Sequence, residues 1–122
     1  MGNFLFDGNV FSGYIDFDIS QSNIRIFDVC YFLLGLRLEE DNNRVNEERW
    51  YHIVSQVVEG YASLVELTQM ERQSIACVMN NIELLFTAYF LGAGDEKLAK
   101  DSANLFWFVC ENEEKILEAV MK

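Results

Sequence analysis

The 122-residue sequence has no proline and a single histidine, His52. Average usage would give a chain of this length about six prolines. Their absence, with 51% apolar residues, points to long helices and few rigid turns. Basic residues are also scarce. Nine Lys and Arg stand against 20 Asp and Glu, for a formal net charge of −11. This balance excludes a nucleic-acid binder that works by phosphate neutralisation, and it excludes attachment to anionic lipid. An acidic solvated face is the plain explanation, and a cationic small molecule is compatible with it.

The three cysteines, Cys30, Cys77 and Cys110, are widely spaced and form no Cys-x-x-Cys pair, so neither a zinc site nor a redox motif is indicated. Each lies among apolar residues of a predicted helix and reads as a small buried hydrophobe. The N-terminus shows no basic region followed by an apolar run, and no run of 18 apolar residues occurs anywhere. These absences predict a chain with no membrane span and a reducing, cytoplasmic setting.

What is present reads as one domain, residues 1–122. Residues 1–18 differ from the rest. A short apolar run, Asn3-Phe4-Leu5-Phe6, precedes the turn signal Asp7-Gly8-Asn9, and a second run follows from Val10 to Phe17. Two such runs around a glycine-containing turn predict a β-hairpin. From about residue 24 helical spacing takes over. Ile26, Val29, Cys30, Leu33 and Leu34 predict a helix over about 25–37. A second helix is predicted to start near Asn46, with the stripe Trp50, Ile53, Val54, Val57, Tyr61 and Leu64. Thr68-Gln69-Met70-Glu71 is a capping box opening a third helix, whose stripe is Ile75, Val78, Met79, Ile82, Leu85, Phe86 and Tyr89 and which ends at Gly92 and Gly94. A fourth helix is predicted from Glu96 to about Val109. Asn112 caps a last piece carrying Ile116, Leu117 and Val120. The fold class is thus mainly α: an N-terminal β-hairpin followed by a bundle of four to five helices.

The chemistry-bearing stretch is Gly2 to Phe32. It contains Gly2-Asn3-Phe4-Leu5-Phe6-Asp7-Gly8, then Gly13-Tyr14-Ile15-Asp16-Phe17-Asp18, then Phe27-Asp28-Val29. An Asn at the start of one strand and an Asp at the end of the next can converge at one end of a hairpin. Two oxygen donors there suit Mg²⁺, a hard cation that takes its remaining ligands from water and phosphates. Asn and Asp near turns are also ordinary turn formers.

In this stretch the sequence resembles the C-terminal lobe of the aminoglycoside phosphotransferase, choline kinase and homoserine kinase superfamily, which has a protein-kinase-like fold. That family carries a catalytic loop H-G-D-x-H-x-x-N, then a strand ending in I-D-F/W-D/E, then an aromatic-Asp-hydrophobic motif opening a helix. Asn3 matches the last Asn of the loop, Ile15-Asp16-Phe17-Asp18 the second motif and Phe27-Asp28-Val29 the third. The resemblance implies a parent that moves the γ-phosphoryl group of ATP to a hydroxyl of a small acceptor, with Mg²⁺ and ATP as cofactors. It implies Asn3 and Asp16 as metal ligands, Asp18 as a neighbour of the metal site or a loop former, and Asp28 as a structural carboxylate bracing the catalytic loop.

The sequence departs from that pattern in one respect. The catalytic Asp of the loop would precede Met1, and no phosphate-covering loop or lysine-bearing lobe is encoded in these residues. The chain is therefore expected to be a C-lobe fragment, inactive alone, without tight Mg²⁺ or ATP binding. Asp28 should then be solvated, re-paired or protonated, because a buried unpaired carboxylate is costly. The alternative is a non-catalytic helical module that self-associates through surface left bare by the missing lobe. His52 reads as a surface residue. Trp50, Phe106, Trp107 and Phe108 read as core rather than as an aromatic cage.

Overall fold

The computed structural model describes residues 4–14, 24–38 and 45–121. Strands β1 (Phe4–Asp7) and β2 (Val10–Tyr14) form an antiparallel hairpin. Gly8 sits in the turn with φ 64°, a conformation that costs glycine nothing and burdens a residue with a Cβ. Asp7, expected in the turn, instead pairs with Val10 and extends β1. The register passes from Leu5↔Gly13 to Phe6↔Phe11, so Ser12 is an extra residue, a bulge that adds local twist. Two strands alone are marginal in water. Here the hairpin meets the helices through Phe4, whose ring lies 5.7 Å from that of Phe32.

Among the described residues five helices follow: α1 (Phe27–Leu38), α2 (Glu47–Leu64), α3 (Gln69–Ala93), α4 (Glu96–Glu111) and α5 (Glu113–Met121). The mainly helical architecture with an N-terminal hairpin is therefore the one expected from the sequence. Local chemistry sets most of the helix ends. Asn46 caps α2 by accepting from the Arg49 N–H at 2.8 Å. The Thr68 hydroxyl accepts from the Glu71 N–H at 3.1 Å, and the Glu71 carboxylate accepts from the Thr68 N–H at 2.8 Å. Gly94, at φ 77°, ends α3 in the left-handed conformation, and Asp95 caps α4 through the Leu98 N–H. Asn112 serves both helices that it joins. Its side-chain amide donates back to the Phe108 carbonyl at 2.8 Å and so closes α4, while its own carbonyl accepts the Ile116 N–H that opens α5.

The core gathers Cys30, Leu33 and Leu34 of α1, Trp50, Val54 and Val58 of α2, Ile75, Met79 and Ile82 of α3, Val109 of α4 and Ile116 and Val120 of α5. Trp50 is fully buried and its indole N–H donates to the Leu33 carbonyl at 2.8 Å, tying α2 to α1. The Arg25 guanidinium donates to both Glu71 carboxylate oxygens, at 2.6 and 2.7 Å, and to the Glu66 carbonyl. The segment entering α1 is thereby fixed to the turn between α2 and α3.

Three positions of the apolar stripes predicted for α2 and α3 are exposed. Leu64 ends α2 with its side chain in solvent, and Leu85 and Tyr89 of α3 are 69% and 67% exposed. Leu85 and Tyr89 flank the packed stripe: with Phe27, Ile82 and Phe86 they line an open apolar groove at the edge of the α1–α3 contact. Ile75–Ala93 is long and apolar enough to cross a membrane by length and composition. Its stripe Ile75, Val78, Met79 and Ile82 is packed in the core of this bundle.

Candidate functional site

Of the positions singled out in the sequence, Asn3, Asp16 and Asp18 lie outside the described residues. Asp28 is described. It occupies the first turn of α1, exposed to solvent, where a carboxylate is favoured by the helix dipole. Of the outcomes expected for it, solvation is the one observed. Among the described residues no group of three or more His, Cys, Asp or Glu side chains is placed to hold a metal ion.

The other flagged residues divide. His52 is exposed on α2, as expected. Cys30 is fully buried, and desolvation pushes its thiol up to about 12. Cys77, expected to be buried, is exposed on α3, with the Asn81 amide 3.9 Å from its sulfur, and Cys110 is half-buried. Trp50 and Phe108 pack in or against the core, whereas Trp107 is 60% exposed and does not belong to it.

Among the described residues, two of the concave regions carry polar groups. The larger, about 640 Å³, lies between α2 and α5 and is lined by Glu48, Tyr51, His52, Ser55, Lys115 and Glu118. It is a solvated depression. Its charged side chains are exposed, and Lys115 reaches Glu47 only at 3.8 Å. Such pairs contribute little.

The smaller region has the features of a site. A cavity of about 160 Å³ opens where α1 and α4 meet the second half of α3. Tyr31, Leu34, Gly35 and Leu38 line it from α1, Glu83, Phe86 and Phe90 from α3, and Ser102 from α4. Glu83 is only 4% exposed and Ser102 only 2%. Among the described residues no donor reaches Glu83 Oε2, which is buried. Burial raises the Glu83 carboxyl to about 7, and a hydrogen bond with Ser102 opposes part of that rise. The aromatic wall is continuous. The Tyr31 and Phe86 rings are 5.8 Å apart, and those of Phe86 and Phe90 are 5.8 Å apart and nearly parallel. A buried carboxyl group with an open lone pair, in a cavity lined by aromatic rings, can accept a hydrogen bond from a cation or hold a proton near neutral pH.

Sequence reasoning passed over Glu83. The available signal was its place in α3: it follows Ile82, lies four residues after Met79 and three before Phe86, and so falls on the apolar stripe. No family model, no curated protein and no solved structure matches the chain.

Proposed function

We propose that these residues form the acceptor-side, C-terminal lobe of a small-molecule phosphotransferase. Its intact form would transfer the γ-phosphoryl group of ATP to a hydroxyl of an aminoglycoside-, choline- or homoserine-type acceptor. The observation that carries the reading is the order of three motifs in the first 32 residues: Asn3, then Ile15-Asp16-Phe17-Asp18, then Phe27-Asp28-Val29. A hairpin running into a helix that opens at Phe27, with Asp28 in its first turn, supports it. The donor chemistry fits as well. An amide oxygen from Asn3 and a carboxylate from Asp16 suit Mg²⁺, which when bound neutralises phosphate oxygens during transfer. Asp18 adjoins that pair in sequence. The 122 residues contain no H-G-D-x-H segment. By themselves they have nothing to position the attacking hydroxyl, and they are inactive on this reading.

The test is paramagnetic. Mn²⁺ with a non-hydrolysable ATP analogue is added to isotope-labelled protein. The amides around residues 3 and 16 should broaden first, and Asp16→Asn should abolish the effect. Broadening centred on the acidic first turn of α5, Glu113 and Glu114, and indifferent to Asp16→Asn, overturns the reading.

The second reading, a non-catalytic module that self-associates, has its own observation. Leu85 and Tyr89, 69% and 67% exposed, line one apolar groove with Phe27, Ile82 and Phe86. Light scattering decides it: a concentration-independent monomer that binds no apolar dye removes self-association.

A further inference from the structure

The cavity between α1, α3 and α4 presents three facts together. Glu83 Oε2 is buried and no described donor reaches it. Among the described residues one other buried polar side chain, Ser102, lines the same space. The rest of the described lining is apolar apart from the Tyr31 hydroxyl, and the Tyr31 ring from α1 adjoins the Phe86 and Phe90 rings from α3. Native proteins rarely leave a buried acceptor unpaired, because desolvation is then uncompensated.

Each class of occupant can be weighed against these walls. A hard metal ion needs six or more oxygen ligands, or several retained waters, and this space offers two oxygen-bearing buried side chains against a mostly apolar lining. A neutral apolar molecule would leave Oε2 unpaired. A quaternary ammonium would meet the rings but has no N–H to give the carboxylate. A primary ammonium satisfies all of it. Its N–H groups donate to the carboxylate, its charge lies against ring faces, and a short alkyl tail meets Leu34 and Leu38. The volume agrees: about 160 Å³ is roughly five waters at ~30 Å³ each, room for a short alkyl chain.

We propose that this cavity binds a small primary alkylammonium ion, held by N–H donation to Glu83 and by the ring faces of Tyr31, Phe86 and Phe90. The inference is independent of the phosphotransferase reading, since none of these residues belongs to its motifs.

Binding competes with the proton on Glu83. Tyr31, from α1, is the other titratable side chain lining the cavity, and α4 contributes the uncharged Ser102. With Glu83 titrating at about 7, the carboxylate fraction rises about tenfold from pH 6 to pH 8, and affinity should rise with it.

The experiment is an NMR titration of the whole chain with n-propylammonium, tetramethylammonium and n-propanol at pH 6 and pH 8. Propylammonium should shift Gly35, Phe86 and Ser102, about tenfold more tightly at pH 8. Glu83→Gln should weaken it by roughly tenfold or more, the scale of a lost charge-assisted hydrogen bond. Phe90→Leu, which keeps the carboxylate, should weaken it less. Tetramethylammonium and propanol should bind markedly more weakly than propylammonium. The proposal is overturned by shifts centred on the Glu48–Glu118 depression, by unchanged affinity in Glu83→Gln, or by equal binding of tetramethylammonium. Absence of propylammonium binding to the wild-type chain also overturns it.

Discussion

Replacing Glu83 by Gln should stabilise this protein, and by an amount that depends on pH in a calculable way. In the folded state burial holds the carboxyl at about 7, against an ordinary value of 4.5. The folded chain therefore keeps a proton that the unfolded chain has already released. Stability from this group is complete below pH 4.5, falls as pH rises through the interval to about 7, and is level above it. The full interval corresponds to roughly 3 kcal/mol at 1.36 kcal/mol per pH unit. Gln has the same shape and no charge to desolvate, so it escapes that loss. Any fixed effect of its amide hydrogens shifts the whole curve without bending it. Urea unfolding followed by tryptophan fluorescence, in reductant to protect the three cysteines, gives the measurement. The variant's advantage over wild type should grow from about 1 kcal/mol at pH 5 to about 3 kcal/mol at pH 8. Groups common to both proteins cancel in the difference. A difference that stays flat over this range would show that Glu83 is hydrated or paired in solution, and the burial argument would be wrong.

Two further perturbations follow from the packing. Trp50→Phe removes the indole N–H that donates to the Leu33 carbonyl and leaves a gap in the core. Denaturant unfolding should show a loss of about 1–3 kcal/mol, and an unchanged midpoint would contradict the buried hydrogen bond. Arg25→Ala removes the partner that, first among several causes, holds the Glu71 carboxyl down at about 2. The Glu71 contribution is present above its ordinary 4.5 and is lost as pH falls towards about 2, so the variant should lose its stability deficit on acidification. Carboxyl chemical shifts should show Glu71 titrating at higher pH in the variant, and an unmoved titration would show that the ion pair does not form.

The sequence makes some of this legible because some of the physics is local. Asn46, the Thr68–Glu71 pair and Gly94 each satisfy or release backbone groups within a few residues of themselves, so their neighbours in sequence are their neighbours in space. Leu64, Leu85, Tyr89 and Cys77 obey helical spacing equally well, yet they lie in solvent. Periodicity shows which face is apolar and does not show how much of that face a neighbouring helix covers. Asn112 is the intermediate case: the α4–α5 junction is a single residue long, so its carbonyl opens α5 while its side chain closes α4. Glu83 was invisible for a different reason. A lone acid on an apolar stripe becomes informative only when α4 brings Ser102, and α1 brings Tyr31, to the same cavity. The expected metal site differs again: Asn3, Asp16 and Asp18 lie outside the described residues, and Asp28 is seen as a solvated acid at a helix start.

The phosphotransferase reading depends on two side chains that are distant in sequence acting on one cation. The most direct measurement is therefore the separation of the Asn3 amide and the Asp16 carboxylate, from nuclear Overhauser contacts with Mg²⁺ and an ATP analogue present. Octahedral Mg²⁺ with ligands at about 2.1 Å puts adjacent oxygens about 3 Å apart. The account predicts contacts between the Asn3 side-chain amide and the Asp16 β-protons. Side chains on opposite faces of the hairpin, with no such contact at saturating Mg²⁺, would contradict it.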